Sequence, residues 1–102
     1  MSIQFAPRRL EIPRGTGTRV LRTAADFRGT GSRVRNVSVV LQGFRFDHVN
    51  PDRPMNVIEV STAVTRVQGT LVEVEVRCQY ADRNFDDPYE GFVAIDMIAD
   101  VE

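Results

Sequence analysis

The chain has no tryptophan, no lysine, one cysteine and one histidine among its 102 residues. Each gap removes a class of chemistry. A lone thiol, Cys78, excludes an intramolecular disulfide, and Cys78 with His48 is too little to build a Cys/His zinc site. No apolar run reaches the ~18 residues that a membrane-spanning helix needs. The start, MSIQFAPRR, lacks the basic-then-apolar order of a secretory signal, so the expected place is the cytoplasm, with release by lysis or within a particle left open. No GxSxG nucleophile motif is present. Asp47 and His48 are neighbours on a strand-like run, which sends their side chains to opposite faces and separates them as a general-base pair. The expectation is a non-enzyme.

What charge there is falls unevenly. Residues 1–46 carry nine arginines against Glu11 and Asp26, whereas residues 47–102 carry four arginines against twelve acids, for a net charge of −1 over the chain. Arginine's planar fork suits carboxylates and fixed interfaces, so a basic half facing the acidic half of a neighbouring copy is one route to self-association. The acidic total and the absence of any RNP-type or zinc-finger motif speak against nucleic acid as a partner.

Period-two alternation dominates, with no helical stripe. In LVEVEVRCQY, Val72, Val74, Val76, Cys78 and Tyr80 face one way while Glu73, Glu75, Arg77 and Gln79 face the other. Upstream, Ile58, Val60, Thr62 and Val64 alternate with polar or small residues, and Gln68-Gly69-Thr70 reads as the hairpin turn between the two runs. In the last run Val93, Ile95, Met97, Ala99 and Val101 share a face. Val37, Val39 and Leu41 make a further strand whose register shifts at Gly43, where a bulge passes the apolar row to Phe44 and Phe46. Nearer the start, SIQF and RRLEI are expected as short strands parted by Pro7 and stopped at Pro13, with Arg19–Arg22 another strand and Thr23–Phe27 a single turn. The fold class expected is all-β: one domain over residues 1–102, a small antiparallel β-sandwich of about six strands, with residues 1–16 set apart as an arm or oligomerisation segment.

Two hexamers, RGTGTR at 14–19 and RGTGSR at 28–33, resemble phosphate loops only superficially. A glycine phosphate loop works by opening a helix whose N–H groups face the anion, and here strand-like runs follow each copy. They read as turns whose arginines solvate strand ends, or as paired loops that present arginine to an anion, to a sugar, or to an acidic patch on a neighbouring subunit. In DRNFDD, Asp82, Asn84 and Asp86 alternate like the first half of a calcium loop, but Asp87 stands where the glycine belongs and Val93 where the bidentate glutamate belongs. A solvated loop and a calcium site completed from elsewhere both stay open.

The order of these pieces resembles the H-type lectin domain. VRNVSVVLQGFRFDH is a strand ending in an aromatic and an aspartate, MNVIEVSTAVTRVQGTLVEVEV a hairpin, and RCQYADRNFDDPYEGFVAIDMIADV a polar loop closed by a tyrosine before the final strand. The resemblance covers about residues 20–102. It implies a six-stranded antiparallel sandwich that assembles as a homotrimer or homohexamer. It also implies N-acetylgalactosamine or a galactose-type sugar bound between subunits. By position it implies Tyr80, Asp82, Arg83, Asn84 and Tyr89 as ligand-binding residues. The alternative is the same sandwich serving as a structural or adaptor module of a phage tail or bacterial contractile particle, with no sugar site.

Overall fold

Alternation of this strictness has one physical outlet, a sheet with one face buried, and two such sheets cover each other. In the computed structural model, which describes residues 2–27, 33–48, 57–81 and 88–102, six antiparallel strands form two three-stranded sheets. The strands are β1 (Ser2–Gly15), β2 (Arg19–Asp26), β3 (Val34–His48), β4 (Val57–Gln68), β5 (Leu71–Ala81) and β6 (Tyr89–Val101). The first sheet runs β1-β6-β3 and the second β2-β5-β4. Among the described strands, β4 to β5 is the one connection that stays within a sheet. There Gly69 takes φ 61°, a turn conformation that costs an ordinary side chain strain.

The two central strands carry the core. Val72, Val74, Val76 and Cys78 of β5 and Val93, Ile95, Met97, Ala99 and Val101 of β6 are at most 1% exposed. Each such aliphatic side chain contributes about 1.5–3 kcal/mol relative to an exposed one. Leu10, Ile12, Ala25 and Phe27 extend the same cluster into β1 and the end of β2. The β4–β5 turn clasps the neighbouring segments: Phe27 N–H donates to the Thr70 carbonyl and Val34 N–H to the Gly69 carbonyl, each at 2.8 Å. The molecule is long and narrow, 52 × 18 × 18 Å. Its radius of gyration of 16.0 Å exceeds the roughly 13 Å of a typical domain this size.

Several expectations are met closely. β3 shifts register between Leu41 and Gly43, and the alternations of β4, β5 and β6 hold as read. The first 27 residues differ. β1 runs without a break through Pro7, pairing with β6 from Ser2 beside Val101 to Ile12 beside Gly91, and continues past Pro13 after a register shift to Gly15 beside Tyr89. It is an edge strand, and proline's missing N–H is tolerated on an edge. Residues 2–15 are therefore a strand of the first sheet, with Leu10 and Ile12 in the core, and not an arm. Thr23–Asp26 is also strand and not a turn, paired through Thr23 beside Val74 and Ala25 beside Val72.

Candidate functional site

The end of the sandwich where β3, β5 and β6 meet gathers three aromatic rings between the sheets and a fourth at their open margin. Phe46 stacks on Tyr80 with centroids 5.5 Å apart, and Tyr89 meets both edge-on, at 5.9 Å from Phe46 and 6.4 Å from Tyr80. Phe44 lies 5.2 Å from Phe46. Tyr80 and Tyr89, singled out from the sequence, thus come together. Asp82, Arg83 and Asn84, and with them the third calcium-loop oxygen at Asp86, lie outside the described residues.

Tyr89 cannot act as the stacking surface a sugar would need. It is fully buried, and its hydroxyl donates to the Gly17 carbonyl at 2.7 Å while lying 3.2 Å from the Cys78 carbonyl. Burial, with the nearby Cys78 sulfur, pushes its phenol well above the usual tyrosine range. Its work is to pin the β1–β2 turn, where Gly17 sits at φ 77°. That turn is the first RGTGTR copy, and its arginines serve their own chain. Arg19 donates to the Pro13 carbonyl at 2.7 Å, and Arg14 lies 4.0 Å from Glu90. At the end of the second copy Arg33 pairs with Glu102. Arg14, Arg19 and Arg33 thus each have a partner within the protomer, and Arg28 lies outside the described residues.

On the outer face of the second sheet, at the same end, is a concavity of about 220 Å³ that sequence reasoning did not single out. Its floor comes from cross-strand pairs: Glu59 of β4 stands beside Gln79 of β5, and Ser61 beside Arg77. Gln79 is 8% exposed despite its polar end, and it is held by the Thr18 hydroxyl, which donates to its Oε1 at 2.8 Å. Arg77 is positioned by Glu75, with Nε to Oε1 at 3.0 Å. A planar amide, a carboxylate, a guanidinium and two hydroxyls therefore line one shallow depression. Such a set can hydrogen-bond a hydroxyl-rich ligand in several directions. The signal was present in the outward half of the alternation, but only the β4–β5 register puts Glu59 and Gln79 side by side.

A second depression, about 280 Å³, lies on the outer face of the first sheet, among Arg9, Glu11, Arg45, Asp47, Glu90 and Phe92. Its charges satisfy one another: Arg9 meets Glu11 at 2.8 Å and Arg45 meets Asp47 at 2.9 Å. The guanidinium of Arg9 also covers the Phe92 ring at 3.9 Å, so the aromatic face is already occupied. Compared with this charged depression, the one around Gln79 is better suited to a neutral polar ligand; a third, of about 380 Å³, lies among Arg22, Thr23, Thr65 and Glu73. The chain matches no protein-family model, no curated protein and no solved structure in the three comparisons.

Proposed function

We propose that this chain is a non-enzymatic carbohydrate-binding module of H-type-lectin-like design, working as a homo-oligomer. The observation that supports this reading most is the depression lined by Thr18, Glu59, Ser61, Arg77 and Gln79. Its donor and acceptor types are those that bind sugar hydroxyls, and its amide is held in place before any ligand arrives. Tyr80, the residue after Gln79, points to the opposite face of β5, against Phe46, so it does not share this depression; Asp82, Arg83 and Asn84 remain as the ligand-binding residues implied by the resemblance. Single sites this shallow bind weakly, so several on one assembly would supply the avidity. A galactose-type or N-acetylgalactosamine ligand follows from the resemblance alone.

The test is a glycan array with the purified chain, with and without calcium, alongside Glu59→Ala and Arg77→Ala. Selective binding lost in both variants supports the reading. A folded protein that binds no glycan in either condition overturns it and favours the second reading, a structural or adaptor module of a particle. The observation behind that alternative is the 52 Å rod with apolar side chains left open along one flank.

A further inference from the structure

β3 and β4 are the edge strands on one flank of the sandwich; Val37, Val39, Phe46 and Val60 of their core-side rows pack against the core, but five other side chains of the same rows stay open. Leu41 and Phe44 pair in register with Ile95 and Val93, and Ile58, Val64 and Val67 with Tyr80, Val74 and Val72. Strand alternation puts each on the same side of its sheet as that inward-facing partner. Yet Leu41 is 40% exposed, Phe44 45%, Ile58 56%, Val64 38% and Val67 45%. On the opposite flank one side-chain bond crosses between the sheets: Arg8, beside Ile95 on β1, donates from Nε to the Ala24 carbonyl of β2 at 3.3 Å. Among the described residues no side-chain hydrogen bond or ion pair joins β3 to β4.

We infer that this flank is where further copies of the same chain pack, flank against flank. The inference rests on the homo-oligomeric part of the proposed function and names its interface. The five side chains leave roughly 400 Å² of apolar surface per protomer, a size of patch that on a monomer usually has a use. Two such patches facing each other supply most of the ~1,000 Å² that a specific interface requires. The row contains no charged residue, so an identical row is complementary to it without any counter-charge. Bulges at Leu41/Gly43 and Val64/Arg66 interrupt both edges. They break the ladder that sheet-to-sheet strand addition would use, so the contact is made by side chains.

Light scattering on the full chain at micromolar concentration tests this. The expected mass is a multiple of 11.5 kDa, unchanged in about 1 M salt, where charge-driven assembly would loosen. Leu41→Asp combined with Val64→Asp is expected to give a monomer that keeps its β circular-dichroism signal and unfolds cooperatively. Ile3→Asp with Phe5→Asp, more exposed still but on the outer face of the first sheet, is expected to leave the mass unchanged. A monomeric wild type, or a folded Leu41/Val64 variant that stays oligomeric, overturns the inference. Should that variant not fold, Leu41→Cys with a short bis-maleimide decides, because the other thiol, Cys78, is buried. A covalent dimer supports the inference, and its absence, with Ile3→Cys cross-linking instead, refutes it. Failure of the sugar reading shows on the glycan array and failure of this one in the mass, so the two are separable.

Discussion

The hydroxyl of Tyr89 donates to the carbonyl of Gly17, 72 residues earlier in the chain, at 2.7 Å. One bond thereby joins the first residue of β6 to the turn that carries the chain from the first sheet to the second. Tyr89→Phe keeps the ring packing against Phe46 and Tyr80 and removes only this donor. The expected loss is about 1 kcal/mol, read from urea unfolding with the m-value unchanged. A loss near zero would mean that water replaces the hydroxyl at Gly17.

The same residue sets a dependence on alkaline pH. Burial raises both the Tyr89 phenol and the Cys78 thiol above their ordinary values, so folding favours their neutral forms. Their contribution is complete below the unfolded values, about 8.5 for cysteine and 10 for tyrosine, and is lost as pH rises beyond them. Urea midpoints are expected to be flat between about pH 7 and 8 and to fall above about pH 9. Tyr89→Phe should flatten part of that fall. A wild-type midpoint that does not move up to about pH 11 would contradict the burial of both groups.

Gly91 and Gly69 both have positive φ, 155° and 61°, but their surroundings differ. A Cβ at Gly91 would run into the backbone carbonyl of Arg45, which lies on the neighbouring strand, whereas nothing lies near one at Gly69. Gly69→Ala should cost about 1 kcal/mol, the strain of the turn alone. Gly91→Ala should cost more, about 3 kcal/mol or above, because β3 must move away from β6 to make room. Comparable losses from the two in thermal unfolding would be evidence against this close approach.

Two isoleucines give a direct contrast in burial. Ile95 is 1% exposed at the centre of β6, and Ile58 is 56% exposed on β4. Ile95→Ala is expected to cost about 2–5 kcal/mol. Ile58→Ala is expected to change the stability of a dissociated protomer by less than about 0.5 kcal/mol. If Ile58 lies in an interface between copies, its effect should grow with protein concentration.

How much of this was legible depended on how many cues each segment carried. β5 and β6 lie at the centres of their sheets, so a buried face and an outer face write a clean alternation from Val72 to Cys78 and from Val93 to Val101. Gly43 was readable because a bulge leaves its mark in sequence, moving the apolar row from Leu41 to Phe44. β1 was not readable in full: Pro7 and Pro13 signal breaks in isolation, and only the tertiary placement on an edge makes them harmless. Nor could Thr23 and Ala25 reveal a strand before Val74 and Val72 stood beside them. For the site, the resemblance to H-type lectins drew attention to Tyr89 as a ligand-facing ring, in the place of the tyrosine that closes the family's loop. Burial against Phe46 and Tyr80 gave it a structural task instead. The groups around Gln79 went unnoticed because they come from three segments that only strand register assembles.

The pairing of Ser2 beside Val101 has a practical consequence. Both ends of the described chain emerge side by side at one tip of the rod, while Thr18, Glu59 and Gln79 belong to the strand ends at the other. A tag, a carrier protein or a surface attached at either end would hold the molecule upright, with the depression around Gln79 turned away from the point of attachment. Two pulling points set there would peel β1 from β6 one bond at a time, like a zip, and would not have to slide the whole ladder at once.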